Sequence, residues 1–363
     1  MTMQRRHLLA LLAGAASGVS WPAHADAPSQ RLGVAWRGAA EDSDHHVGIL
    51  AVDWATRHLR IAGQVRVPTR PHGMFAEPDG SLLAVALRPG RWLLRLAPDG
   101  RVLQRLDIAD EALPRRFGGH VIANADGSRL YTTETDTDTG RGRIGVRDAR
   151  TLRKLDDWDS HGVEPHQLLL DREGHIVLAN GGLWRDRDDR KIQLDRMEAS
   201  LVRVHGDSGE RLGRWRPADP RLSVRHLAWD ESGRLGVALQ AEHDRKEDQA
   251  AAPALAVWDG ATLQTVPGGL GYAGDVTGVP AAGGGGFVIT NAFRDTAWWW
   301  QPTAPERLTE VAKLQRAYAL STGAGVLIAA GRGLARWHPQ EAPAMLPWPT
   351  PMALDNHMVV LRG

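Results

Sequence analysis

Cysteine is absent from this 363-residue chain, and that absence removes several chemistries at once. There can be no disulfide framework, thiol nucleophile, cysteine-ligated zinc, iron–sulfur cluster, blue-copper site or c-type haem attachment. Any metal site has to be built from imidazole, carboxylate and backbone oxygen. An excess of one charge is missing too, with 44 Lys and Arg against 43 Asp and Glu. The chain therefore lacks the electrostatic term that supplies most non-specific nucleic-acid affinity, and it carries no polybasic membrane anchor. No serine elbow, Walker loop, dinucleotide fingerprint or HExxH appears, so neither a hydrolase nor a nucleotide cofactor has motif support. Tyr and Phe are scarce, at three and four, whereas Gly reaches 40 and Pro 21. At this length such a turn-rich chain can bury a large core, and it is expected to do so with many short strands rather than long helices.

The first 25 residues read as an address. Arg5-Arg6 precedes an apolar run from Leu8 to Val19, and Ala23-His24-Ala25 has the small-x-small form of a cleavage site. The run falls short of the ~20 apolar residues needed to span a bilayer. Residues 1–25 are thus expected to be a twin-arginine-type signal peptide, 26–363 a single periplasmic domain, and the processed protein free of membrane spans. The Arg5-Arg6 pair alone does not separate the twin-arginine route from general secretion.

Along the remaining chain a unit of about 48 residues recurs. Each unit has an apolar strand, a turn such as Asp79-Gly80, Asp126-Gly127, Glu173-Gly174 or Ser232-Gly233, and a second apolar strand. The Gly-rich runs at 283–286 and 323–325 fill the same slot. A further turn follows, at Trp54-Ala55-Thr56, Pro98-Asp99-Gly100, Ala149-Arg150-Thr151, Asp207-Ser208-Gly209, Asp259-Gly260-Ala261, Pro302-Thr303 and Pro339-Gln340. Seven units of four strands predict an all-β fold, a seven-bladed β-propeller. The N-terminal stretch supplies only the later strands of a unit and Asn356 to Leu361 a missing first strand, so one shared blade should close the ring and leave no open sheet edge. The charged insertion Gly182 to Arg196 and the run His243 to Gln249 read as solvated loops, and so does His45-His46. The Trp298-Trp299-Trp300 run reads as a third strand packing between blades.

The opening residue of each first strand should sit at one mouth of the central channel. Those residues are His72, His120, His166, His226, Asp275 and His357, with His161 close enough to fold over the same place. Regular hairpin pairing then predicts that Glu134 lies opposite His120, Asn180 opposite His166, Gln240 opposite His226, Asn291 opposite Asp275 and Arg88 near His72. Neutral imidazole is a common ligand for copper, zinc and iron, and amide or carboxylate groups behind it would orient the rings. The same pattern also suits an anionic ligand, a ring of local structural hydrogen bonds, or a substrate pocket with one imidazole as base.

Several segments resemble an exported bacterial family known as domain of unknown function 1513. They are Thr132-Thr133-Glu134 with Thr139 to Ala149, Ser160-His161-Gly162 with Pro165-His166, Asn180-Gly181-Gly182, Ser223 to Ala228, and Asp355-Asn356-His357. The chain departs from the family pattern at Leu183-Trp184-Arg185 and at Val121. The resemblance implies a seven-bladed propeller of the YVTN or amine-dehydrogenase-like kind, and periplasmic company with imelysin-like and di-haem proteins of iron handling. The registered histidine ring leads to the expectation of one bound iron or copper ion, with a role in metal uptake, delivery or redox handling, in a protein expected to be a monomer. Two other functions stay open: a non-catalytic scaffold docking a partner through the 183–198 loop, and a lactonase- or dehydrogenase-like enzyme with Glu134 as general base.

Overall fold

The computed structural model describes residues 29–323 and 325–361, so the expected signal peptide lies outside the described residues. Seven four-stranded antiparallel sheets are arranged in chain order around a central axis. Their innermost strands are Pro71–Ala76, Arg115–Ala123, Pro165–Leu170, Leu222–Trp229, Val276–Gly278, Leu320–Gly323 and Met352–Leu361, which open blades 1 to 7 in that order. Each innermost strand touches the innermost strand of the next blade, and the last touches the first, so the ring is closed. Closure comes from blade 7. The C-terminal strand Met352–Leu361 pairs with Gln30–Gly38, which continues outward to His45–Asp53 and His58–Val67.

The turn chemistry explains the regular spacing. Gly80, Gly127, Gly174 and Gly233 each take a positive φ, of 83°, 72°, 81° and 92°, in the turn between the first two strands of a blade. That conformation costs a side-chain-bearing residue and is free for glycine. The apolar faces on either side of each sheet then pack against the neighbouring blades, and seven buried clusters fill the seven blade interfaces. The core of this protein is thus a set of radial seams, which leaves the central channel to polar side chains.

The tryptophan run lies on the third strand of blade 5, Thr296–Trp300, as expected. Trp298 and Trp300 pack toward blade 4, while Trp299 meets Trp337 of blade 6 at 5.2 Å between ring centroids. Three segments expected as loops are ordered elements instead. The 182–196 insertion forms a hairpin of Trp184–Arg185 with Lys191–Ile192, tied down by Lys191 donating to Glu242. Residues 246–251 form a short helix. His45-His46 opens a strand, and His46 stacks on Trp36 at 5.5 Å.

Candidate metal centre

Five innermost strands share one irregularity that regular hairpin pairing does not foresee. In blade 1, Pro71 faces Ala86 and Met74 faces Ala84, so His72 and Gly73 together oppose one residue. Blade 2 inserts Gly118, Gly119 and His120 between the Phe117–Glu134 and Val121–Thr132 pairs. Blade 3 inserts His166 and Gln167 opposite Ala179, and blade 4 inserts Arg225 and His226 opposite Ala238. Blade 7 inserts Asp355, Asn356 and His357 opposite Ala35. A bulge breaks the in-out alternation of a strand and re-aims the extra side chain. Here five bulges turn five imidazoles toward the axis.

The result is a buried histidine cluster. One potential ligand nitrogen from each of His72, His120, His166 and His226 lies within 4.8 Å of the others, so the four could hold a metal ion. His72 Nε2 is 3.5 Å from His166 Nε2, which is 2.8 Å from His226 Nε2, which is 3.0 Å from Nε2 of His357. Close approach is possible because two residues at the bulges lack side chains. A Cβ on Gly119, which also has φ 117°, would lie 2.8 Å from the His72 ring, and one on Gly73 would lie 2.8 Å from His120 Nδ1.

Two carboxylates orient the cluster from behind. Asp355 lies 3.5 Å from His72 Nδ1 and is itself gripped by Arg70 at 2.5 and 3.1 Å. Asp275 lies 3.5 Å from His357 Nδ1 and accepts from the Leu320 amide. A carboxylate on Nδ1 favours the proton there and leaves the Nε2 lone pair facing inward. His120 Nε2 is buried and has no hydrogen-bond partner among the described residues. Burial pushes the pKa of His72 down to about 3 and those of His120, His166 and His226 well below the usual imidazole value, helped in each case by other positive groups nearby. At neutral pH these rings are therefore uncharged. Asp355 moves the opposite way from a lone buried carboxylate. Burial raises its pKa, but His72 and Arg70 outweigh that and hold it far below the carboxylate range.

Of the residues expected at this mouth, the histidines other than His161 converge and Asp275 stands behind His357 rather than among the ring nitrogens. The residues expected behind them serve elsewhere: in blade 3 the bulge moves Asn180 off His166, whereas in blades 2, 4 and 5 the hairpin register itself differs from the expected one. Glu134 faces Phe117, not His120, and is held by Arg147 at 2.7 Å and Lys154 at 2.6 Å in an ion-pair network between strands of blade 2. Both its oxygens are thereby engaged away from the imidazoles. Asn180 faces Pro165 and donates to the Ser160 carbonyl. Gln240 faces Ser223 and donates to Ala273, and Asn291 donates to the Leu270 and Tyr272 carbonyls. Arg88 turns to Glu164, at 3.1 Å, instead of His72. His161 bonds the Gly209 carbonyl through Nε2 at 3.1 Å. Sequence reasoning missed Asp355, whose signal was its position two residues before His357 in the last first-strand segment.

Comparison with known proteins agrees with the fold. Residues 65–361 match the family described as Protein of unknown function (DUF1513). No curated protein matches the chain. Among solved structures, a catalytically inactive virginiamycin B lyase from Staphylococcus aureus with quinupristin is similar at 11% identity and TM-score 0.52, over 76% of this chain and 84% of that one. Hydrazine synthase of Kuenenia stuttgartiensis is similar at 12% and 0.57, over 92% and 100%. The C-terminal WD40 domain of Sif2 is similar at 12% and 0.53, over 92% and 88%. Likeness at such identity speaks to the propeller architecture alone.

Proposed function

The chain belongs to the DUF1513 family, a membership that carries a propeller and no assigned chemistry, and from that premise we propose that it is a periplasmic protein binding one copper or iron ion in its histidine cluster. The observation that carries this reading is the convergence of four buried imidazole nitrogens whose rings are uncharged at neutral pH. The Nε2 atoms of His166, His226 and His357 can share N–H···N bonds in suitable tautomers, but His120 Nε2 has no partner and protonation of the cluster is opposed by burial. A bound cation satisfies the orphaned His120 Nε2. Imidazole donors without thiolate suit copper, iron, nickel and zinc, and an all-nitrogen set favours copper among them.

The histidines come from different blades, so the ion would knit the ring at its axis. In the periplasm such a centre would serve metal uptake, delivery or redox handling, alongside imelysin-like or di-haem partners. Elemental analysis of the mature protein, purified without a metal-binding tag, tests the assignment. The expected result is about one equivalent of copper or iron, lost in the double variant His120→Ala, His166→Ala. The reading would be falsified if the protein, after reconstitution with copper, iron and zinc in turn, bound none of them stoichiometrically.

A further inference from the structure

Next to the imidazoles lies a second buried cluster that metal binding alone does not use. Glu164, two residues before His166, is 4% exposed, and three guanidiniums from three separate segments converge on its Oε1. Arg185 of the inserted hairpin donates to it at 2.8 Å, while Arg88 Nε and Arg225 Nη1 each stand 3.1 Å away without hydrogen-bond alignment. One oxygen cannot satisfy three planar forks, each of which matches a whole carboxylate. Arg225 Nε and Arg185 Nη2 are accordingly buried with no hydrogen-bond partner among the described residues, as is Glu164 Oε2. Arg225 is 2% exposed, and unpaired donors of this kind are costly to bury. Gly181 lets the backbone approach them closely: a Cβ there would lie 2.5 Å from Glu164 Oε2 and 3.0 Å from Arg225 Nη1.

The cluster and the histidines share their strands. Arg225 and His226 are the two residues of one bulge. Glu164 likewise lies immediately before the strand that carries His166, so both clusters are built on the inner strands of blades 3 and 4. Around the centre the guanidiniums of Arg70, Arg88, Arg185 and Arg225 are balanced by the carboxylates of Glu164, Asp189, Asp275 and Asp355. A divalent ion on uncharged imidazoles would add two positive charges to a buried region with nothing left to offset them.

Resting on the metal reading above, we propose that the metal centre is completed by a small planar carboxylate, formate- or bicarbonate-like, seated on Arg225 and Arg185 beside the ion. One oxygen would take up the orphaned guanidinium donors, the other would face the ion, and its single negative charge would offset part of the metal's. The hairpin at 184–192, which supplies Arg185, then has a role in ligand binding rather than in docking a partner.

The test adds copper(II) to the mature protein in anion-poor buffer, alone and with formate, bicarbonate or inorganic phosphate, following the visible copper absorption and the affinity. Formate and bicarbonate are expected to shift the absorption saturably and tighten copper binding at least tenfold. Arg185→Gln, on the surface hairpin, and Arg225→Gln should each retain one copper and lose that gain; if Arg225→Gln does not fold, Arg185→Gln carries the comparison. One copper bound with an absorption and affinity indifferent to formate and bicarbonate overturns the carboxylate seat and leaves the metal reading intact. An effect of phosphate alone also overturns it. If no metal binds, the metal reading fails by itself, and calorimetry of formate on the metal-free protein decides the seat: binding lost in Arg185→Gln upholds it, and no binding overturns it.

Discussion

At the scale of single residues, the histidine cluster trades stability for readiness to bind. Keeping four imidazoles uncharged in the fold means that acid acts on the unfolded chain first. For His72 the pKa is about 3 in the fold against 6.5 as the ordinary value. Between those limits the unfolded chain takes up a proton that the folded chain refuses. Stability is therefore full above about pH 6.5 and falls as the pH is lowered, by up to about 1.4 kcal/mol per pH unit for each such histidine. The shifts of His120, His166 and His226 have the same sign and add to the slope. Glu164 adds a later loss: burial raises its pKa, but Arg225, Arg88 and Arg185 overcome that and bring it to about 2, so its contribution disappears between about pH 4.5 and 2. Thermal unfolding of the metal-free protein from pH 8 to 4 should show a melting temperature dropping steeply below pH 6.5, and less steeply in His72→Gln. A flat profile from pH 7 to 5 would mean that the rings are not buried and neutral.

At the scale of elements, the bulge decides which residues meet. The sequence expectation put Glu134 behind His120, but the hairpin pairs Val121 with Thr132, so regular extension would already bring Thr133 opposite His120. The three-residue bulge then carries Glu134 on to Phe117 and leaves it to Arg147 and Lys154. Arg147 and Glu134 are both fully buried, and although Arg147 keeps Glu111 as a second partner, removing the Glu134 charge breaks two charged hydrogen bonds in the interior, at a cost of about 1.5–3 kcal/mol. Glu134→Gln should accordingly lower stability by that order in chemical denaturation while copper or iron stoichiometry stays at the wild-type value. Loss of metal with stability unchanged would put Glu134 back beside the imidazoles. The bulge accounts for Asn180 in the same way, while Gln240 and Asn291 lie in hairpins whose turn register differs from the expected one. Each is buried or nearly so and bonded to backbone carbonyls, as residues that brace loops and strand ends are, and none is released to orient a histidine.

At the scale of the whole molecule, the C-terminal strand does two jobs. Met352–Leu361 is the innermost strand of the closing blade, and it brings Asp355 and His357 to the axis. Removing residues 352–363 would expose the edge of Gln30–Gly38, break the seams on both sides of blade 7 and unsettle His72 by taking away its carboxylate. We expect that truncation to give aggregated protein, whereas His357→Ala should remain soluble and folded, distinguishable by size-exclusion chromatography and circular dichroism. A soluble, monodisperse truncation would show that the ring holds without its closing strand. The seven-fold architecture itself was legible in the chain, because turn glycines and alternating apolar strands act locally and repeat about every 48 residues. The histidines were legible for a related reason: they recur at one position of that repeat, and any propeller brings equivalent first-strand positions together at the axis. Three things depended on tertiary structure. The bulges are not written in hydrophobic alternation, since an extra residue in one strand is defined only by the partner it fails to pair with. Two ion-pair partners of Glu164, Arg88 and Arg225, lie on segments distant in sequence, so their identity was settled by which side chains the blades bring within reach. Asp355 gained its place because ring closure sets the last strand against the first blade, a contact that exists only once the whole circle has formed.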